Sequence, residues 1–471
     1  MGTGRAFVVG SGPNGLAGAI VLARAGLDVT VFERSAHVGG ATRSSEAMRD
    51  GLLHDHCSAV HPLAAGSPFF DDFGLESHGL KWRLPAVDCA HPLDDGSAGA
   101  LYRSIDETAA QLGSDGRMWR RLLAAPSEAF DQLRNDLLRP LVAFPDHPVR
   151  LARFGAGALM PASVLARLFD SPRTKALWGG VAAHAYTRLD RPLTSSVGLG
   201  ILAAGHRHGW PVAEGGSQRI ADAMVAALAA EGGTVETGID IRSFDQVHGA
   251  DIVLWDTSPT AVLAIMADRL PSRVRRSYER FRYGPAAFKV DFAVEEGVPW
   301  RSEAARNAGT VHVGGTFDEI AQAEALVNAG RMPERPFVLV GQQYLADPGR
   351  SVGTLKPVWS YAHVPNGYGG DATEAVIAQI ERFAPGFRER IIDFVVRRPG
   401  DLSAENANFV GGNILTGAKD PKQLVLGPRA NIRPYDTGVD GHYLCSAATP
   451  PGPGAHGMCG YHAASRALSR L

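Results

Sequence analysis

Between Arg5 and Glu33 the order of residues leaves the backbone little choice. Arg5-Ala-Phe-Val-Val9 is a short apolar run, and Gly10-Ser-Gly-Pro-Asn-Gly15 follows it at once. Residues 16–25 then read as a helix ended by Gly26, and residues 28–32 read as a second strand that stops at Glu33. Strand, G-x-G-x-x-G, helix, strand and acid together form the full context of a dinucleotide-binding βαβ unit. Gly10 permits the tight turn, Gly12 lets the backbone approach a diphosphate, and Gly15 lets the helix close on the sheet. The helix N-terminus faces the phosphates with free N–H groups and a favourable dipole. Glu33 suits ribose hydroxyls, and its charge repels a 2′-phosphate. The motif fits NAD or FAD equally, and it predicts an α/β chain with a Rossmann-like parallel sheet.

The chain has 471 residues, enough for two or three folding units with their own cores. Its formal net charge of −2 and the lack of a long basic run give no footprint for nucleic acid. The longest apolar stretches, such as 221–230, are too short to span a bilayer, so no transmembrane segment is expected. The four cysteines, Cys57, Cys89, Cys445 and Cys459, contain no C-x-x-C pair. That argues against a disulfide framework and against dithiol chemistry, and a cytoplasmic setting is the expectation.

Past the acid, Glu33-Arg-Ser-Ala-His-Val-Gly-Gly-Ala-Thr-Arg-Ser44 adds a second glycine pair and Arg43. This segment resembles the flavoprotein superfamily of amine oxidases, phytoene desaturases and GDP-dissociation inhibitors. Within it the chain is most similar to the phytoene-desaturase-related oxidoreductases that include the PYROXD2-like proteins. Gly39, Gly40 and Arg43 match the desaturase form of the motif. Ala41 stands where amine oxidases carry an arginine. The resemblance implies non-covalent FAD, held by Gly10, Gly12, Pro13, Asn14, Gly15, Glu33, Arg34, Gly39, Gly40, Ala41 and Arg43. It also implies that the 210–231 block is the family's glycine turn and helix, that Ile239 lends its backbone to the adenine, and that 251–259, with Thr257, returns the chain to the nucleotide fold. The same resemblance divides the chain into an FAD domain (1–75, 205–275 and 400–471) and an α+β substrate domain (76–204 and 276–399). The first substrate segment reads as helical at 104–112 and 119–138. The second reads as strands at 287–294, 309–314, 337–342 and 357–363.

Near the C-terminus, His442-x-x-Cys445 and His456-x-x-Cys459-x-x-His462 flank Thr449-Pro-Pro-Gly-Pro-Gly454, which raises the question of a metal. On a helix beginning near Gly457, Cys459 and His462 lie about 60° apart in projection, and His456 and His462 about 120° apart. The glycine-proline turn separates all three from His442 and Cys445, so the geometry suits a common metal poorly. The block reads instead as strand, loop and helix N-terminus, with Ala463 and Ala464 on a small-residue face. Under the resemblance it caps the flavin through Ser446, Gly454, Gly457 and Met458, and no metal is expected.

Three side chains emerge as catalytic candidates under the resemblance. Lys289, alternating with apolar neighbours in Ala287-Phe-Lys-Val-Asp-Phe-Ala-Val294, matches the amine-oxidase lysine near flavin N5; a solvated lysine on an open strand face fits the sequence equally. His61 follows the glycine block in a segment that passes the flavin ring, and His456 sits where the cap meets it; packed core histidines are the alternative for both. His312, Tyr361 and His363 lie on the expected substrate-domain strands. No second G-x-G-x-x-G in a strand-helix setting is present, so electrons are expected to enter from an organic substrate and leave to oxygen or a quinone. The implied activity is dehydrogenation or desaturation of a small apolar or amine-bearing molecule by hydride transfer to flavin N5. A flavin-dependent saturase or isomerase, and a non-catalytic lipid- or protein-binding relative of the GDP-dissociation inhibitors, remain as alternatives. Residues 144–181 mix apolar residues with prolines. They read as a cover over an apolar channel, as a site of peripheral membrane contact, or as an ordinary buried helical pair.

Overall fold

The computed structural model describes residues 4–141 and 143–471. Two sheets organise the chain. The first is wholly parallel, in the order His442–Leu444, Ile252–Trp255, Arg5–Val9, Asp28–Glu33, Thr234–Thr237. Its central strands are apolar on both faces, as helices on both sides require. Ala6, Val8, Val31 and Leu254 pack on one side against the Pro13–Arg24 and Gln218–Ala230 helices. Val253, Trp255 and Leu444 face the Pro259–Met266 helix on the other.

The first helix starts at Pro13, three residues before the apolar pattern does, because Gly12 is its N-cap and Pro13 supplies a pre-set φ in the first turn. It runs beside the Met458–Leu468 helix almost backbone to backbone. A Cβ at Gly460 would lie 1.7 Å from the Asn14 carbonyl oxygen, and Ala463 and Ala464 continue the contact fully buried.

The second sheet has seven strands, ordered Ile391–Arg397, Ala286–Glu295, Leu355–Val364, Val338–Gly341, Ala308–Val313, Val87–Pro92, Ala98–Leu101. Every pairing is antiparallel except that of Ala308–Val313 with Val87–Pro92. Alternation along Ala286–Glu295 sends Phe288, Val290, Phe292 and Val294 into one core and turns Lys289 and Asp291 to the other face.

Helices cover that other face around Ala287, Leu339 and Tyr361, and residues 52–57 cover it around Asp291 and Ala293. The periodic stretch expected at 119–138 is two helices, Gly116–Glu128 and Phe130–Leu137, broken at Ala129 just past Pro126. Of the segment 144–181, the Pro172–Ala182 helix is buried, while Pro148–Ala158 keeps only Phe154 and Ala158 buried. Among the described residues no helix is long and apolar enough to cross a membrane.

Candidate cofactor and substrate cavity

One cavity of about 690 Å³ begins at the glycine turn of the parallel sheet and ends against the strands of the second sheet. At the nucleotide end its wall includes Gly10, Gly12, Pro13, Asn14, Glu33, Arg34, Gly40, Ala41, Arg43, Ile239 and Thr257. The two glycine motifs, far apart in pattern, meet here. A Cβ at Gly40 would lie 3.1 Å from Gly12 Cα, so the wall is bare backbone where a diphosphate needs close approach. Gly15 and Gly39 stand behind it. A Cβ at Gly15 would be 2.1 Å from the Gly10 carbonyl oxygen, and Gly39 turns with φ 110° and donates its N–H to the Ser11 carbonyl at 3.1 Å.

Glu33 is pinned by its neighbours. Its carboxylate accepts the Ser11 N–H (3.0 Å) and hydroxyl (2.6 Å) and the Ser35 N–H (2.8 Å). Arg43 straps the glycine block in place, donating to the Gly40 carbonyl (3.1 Å), Ser35 Oγ (3.2 Å) and the Glu405 carbonyl (3.3 Å). Arg34 donates to the Ala404 carbonyl at 3.0 Å.

The helix N-terminus already holds an acid. Asp256, at the end of the Ile252–Trp255 strand, accepts the Gly15 N–H at 3.0 Å and lines the cavity. Burial, with the nearby Glu33 charge adding to it, pushes this carboxyl up to about 7 against the hydrogen bonds from Gly15 and Gly12. Sequence reasoning treated 251–259 as a strand and turn and missed this residue; the only signal was an acid at a strand end facing a glycine loop.

The C-terminal turn forms the roof through Pro450, Pro451, Pro453, Gly454, Ala455 and His456. Ser446, Gly457 and Met458, expected to cap the cofactor, are not on the cavity wall. The Ser446 carbonyl is taken by Thr449 inside the turn. Gly457 is pressed between Ala17 and Phe69, and the Met458 N–H is spent on His456 Nδ1 at 3.1 Å. His456 thus caps its own helix, which is why the N–H expected there is not free. The other residues of the C-terminal histidine and cysteine pattern are separately engaged. The Cys459 thiol donates to the carbonyls of Thr449 and Gly452, His462 Nε2 bonds the Leu138 carbonyl at 2.8 Å, and His442 stacks between Phe244 and Trp255. Among the described residues no group of three or more His, Cys, Asp or Glu is placed to hold a metal ion.

His61 lines the cavity while 1% exposed, with Nε2 at 2.9 Å from Ser217 Oγ. Burial pushes both His61 and His456 down to about 4, so both are neutral at physiological pH. Lys289 is neither on the cavity wall nor solvated. It is 2% exposed, ion-paired with Asp291, and 5.2 Å from the ring centre of Trp359, which does line the cavity. The alternative of an open strand face fails because residues 52–57 cover that part of the sheet: Leu52 packs on Ala293, and His54 Nε2 bonds the Phe292 carbonyl at 3.0 Å. Burial pulls the Lys289 ammonium below its usual range, and Asp291 opposes the shift. Asp291 also accepts from Arg397 at 2.9 Å, and Arg397 bonds Glu405 at 3.0 Å, so a chain of charges runs from Lys289 back to the cavity at Glu405.

Beyond the nucleotide end the wall turns apolar: Leu137, Leu151, Phe154, Val197, Ile201 and Leu339 among others. Of the substrate-domain residues singled out, Tyr361 reaches this lobe, joined by Trp359, Trp210 and His184; His312 and His363 stand behind it. His363 Nδ1 bonds Glu324 at 2.6 Å. Lys419, half-buried beside Gly452, lines the cavity with no carboxylate partner among the described residues. Burial pushes it down to about 8. Neither His184 nor Lys419 carries a local motif, and only tertiary packing brings them here.

Residues 8–73 match the model of the NAD(P)-binding Rossmann-like domain. Over 98% of its length the chain is 24% identical to pyridine nucleotide-disulfide oxidoreductase domain-containing protein 2 of Rattus norvegicus, spanning 92% of that protein. A stretch of 128 residues, 27% of this chain and 21% of the other, is 30% identical to one of the subunits of limonene dehydrogenase from Castellaniella defragrans. The fold is similar to that of wild-type putrescine oxidase bound to putrescine, with TM-score 0.62 and 16% identity over 99% of this chain and 98% of the other. The resemblance read from the motifs therefore extends over the whole chain, and the fold is that of two-domain oxidoreductases with a Rossmann-like domain.

Proposed function

We propose that this chain is an FAD-dependent oxidoreductase that removes hydride from a small apolar or amine-bearing organic molecule. The observation that carries the reading is the single cavity joining a dinucleotide-type glycine wall to an apolar lobe. Gly10, Gly12 and Gly40 would lie against the diphosphate, Glu33 at the adenosine ribose, and Ile239 and Thr257 at the adenine side. When bound, FAD supplies a two-electron acceptor whose ring must meet the substrate carbon face to face. The protein contributes alignment, exclusion of water and fixed dipoles. His61 and His456, both neutral, can hydrogen-bond without adding charge. Lys289 acts at one remove, as a positioning residue behind Trp359, its field reduced by Asp291. Limonene is a hydrocarbon and putrescine an amine, so the two similar proteins bracket the substrate class. Electrons leave to oxygen or a quinone.

Purified protein should be yellow, and acid precipitation should release FAD to the supernatant. Colour staying with the pellet would contradict non-covalent binding, and a colourless protein that takes up no FAD would sink the reading. Glu33→Ala should lower FAD retention, with occupancy read from the ratio of flavin to protein absorbance.

A further inference from the structure

A buried polar relay reaches the apolar lobe. His184 follows the Pro172–Ala182 helix in the turn Ala183–Ala185 and lines the cavity beside Trp210 and Tyr361. Its Nε2 lies 3.0 Å from His312 Nε2, and His312 Nδ1 lies 3.3 Å from Cys89 Sγ. His312 and Cys89 are 0% exposed, on neighbouring strands of the second sheet. Gly180 makes room for the relay, because a Cβ there would lie 2.8 Å from His312 Nδ1. Burial depresses both imidazoles, His184 to about 3, so the relay is uncharged.

With one hydrogen on each imidazole, the relay can run in two directions. Either Cys89 donates to His312 and His312 to His184, which leaves His184 Nδ1–H as a donor, or the bonds reverse and Nδ1 is a bare acceptor. In both, Nε2 is committed inward. Nδ1 has no partner among the described residues and is not a buried orphan, so it opens to the cavity. The carboxylates on the cavity wall, Glu33, Asp240, Asp256 and Glu405, belong to the nucleotide end. An ammonium group held at His184 would have no counter-ion.

We propose that His184 is the polar recognition group of the lobe, and that its ligand is an uncharged molecule bearing an amine nitrogen or a hydroxyl. Such a group both donates and accepts, so it satisfies either direction of the relay. The inference rests on the proposed function only in taking the lobe as the substrate chamber.

Cyclohexanol and chlorocyclohexane, matched in size, test it by titration of tryptophan fluorescence, since Trp210 and Trp359 line the lobe. In the parent, cyclohexanol should bind about three- to ten-fold tighter than in His184→Phe, the span expected for one neutral hydrogen bond, and chlorocyclohexane should bind both alike. Equal losses for both probes, no loss for either, or no binding to the parent would overturn the proposal. If His184→Phe does not fold, the parent labelled with ¹⁵N-histidine decides. The His184 Nδ1 resonance should move with cyclohexanol and stay with chlorocyclohexane; an unmoved resonance at saturation overturns it. Absorbance of the same samples separates the two readings. Yellow protein that cannot tell the probes apart defeats this proposal alone, and colourless protein that can defeats only the flavin reading.

Discussion

Lys289→Met distinguishes a lysine that acts in chemistry from one that holds the second sheet together. The change keeps the length of the side chain and deletes the charge. Asp291, 1% exposed, then loses one of its two cationic partners and keeps Arg397 at 2.9 Å. Removing one partner of a buried pair costs about 3–5 kcal/mol, because the other charge is stranded. Arg397 offsets part of that, and relief of the lysine's own desolvation offsets more, so about 2 kcal/mol is expected. At about 2–4 °C per kcal/mol for chains of 150–250 residues, and about half that for 471 residues, the first thermal transition should fall by about 2–4 °C. Lys289→Met/Asp291→Leu should recover most of the loss, since no carboxylate is left stranded, although Arg397 then relies on Glu405. Scanning calorimetry reads both variants. A single variant within about 1 °C of the parent would refute the buried pair. The rate of cofactor reduction by substrate, and of reoxidation by oxygen, gives the second arm. A positioned charge in contact with the reaction is worth about a hundred- to a thousand-fold. Behind Trp359 and neutralised by Asp291, Lys289 should be worth far less, and a loss of a hundred-fold or more would return it to the reacting centre.

Asp256, raised from its ordinary 3.8 to about 7, holds in the folded protein a proton that the unfolded chain has lost. Its contribution to stability is full below about pH 4 and is lost as pH rises through about 7. Asp256→Asn should therefore have a higher melting temperature than the parent at pH 8 and little advantage at pH 4; a constant difference across that range would show that the carboxyl does not titrate as described. Gly15→Ala should abolish cofactor retention or soluble expression, because its Cβ meets backbone at 2.1 Å, whereas Gly12→Ala meets the Asp256 side chain at 2.6 Å and should be milder. Comparable soluble yield and cofactor content in parent and Gly15→Ala would contradict the close turn. Chelator should leave the melting temperature unchanged, and elemental analysis should find no stoichiometric zinc; a zinc lost in Cys459→Ala would reverse the assignment of the C-terminal turn.

The parallel sheet was legible because its first two strands, its glycine turn and Glu33 follow one another without interruption, and each step has a local cause. Four strands of the second sheet were legible as apolar runs to within two residues at either end, but Val87–Pro92, Ala98–Leu101 and Ile391–Arg397 were not, nor was the strand order, which long-range pairing alone decides. Lys289 shows where the sequence runs out. Alternation correctly put it opposite Phe288 and Val290, yet whether that face met solvent, cavity or helices depended on residues far away in the chain. The helix N-terminus expected to meet the cofactor fails for a smaller reason: an imidazole two residues before a helix, here His456, can cap it, and no periodicity reveals that choice. Asp256, His184 and Lys419 reach the cavity from unrelated segments; a strand end marks Asp256, and nothing nearby in sequence marks the other two.

The strand order of the parallel sheet also bears on how the chain is made. Arg5–Val9 lies between Asp28–Glu33, which follows it after a single helix, and Ile252–Trp255, whose own outer neighbour is His442–Leu444, far along the chain. A nascent chain leaving the ribosome therefore presents Arg5–Val9 with one edge unpaired until Ile252–Trp255 follows about 220 residues later, roughly 10–45 s at about 5–20 residues per second. An unpaired apolar edge exposed that long is a substrate for holding chaperones and a seed for mispairing. The Met458–Leu468 helix, which presses Gly460 onto the Pro13–Arg24 helix, cannot dock until about 430 further residues have followed that helix out of the ribosome. Shortening the chain by its last helix should thus yield insoluble protein even though every residue of the glycine turn is intact.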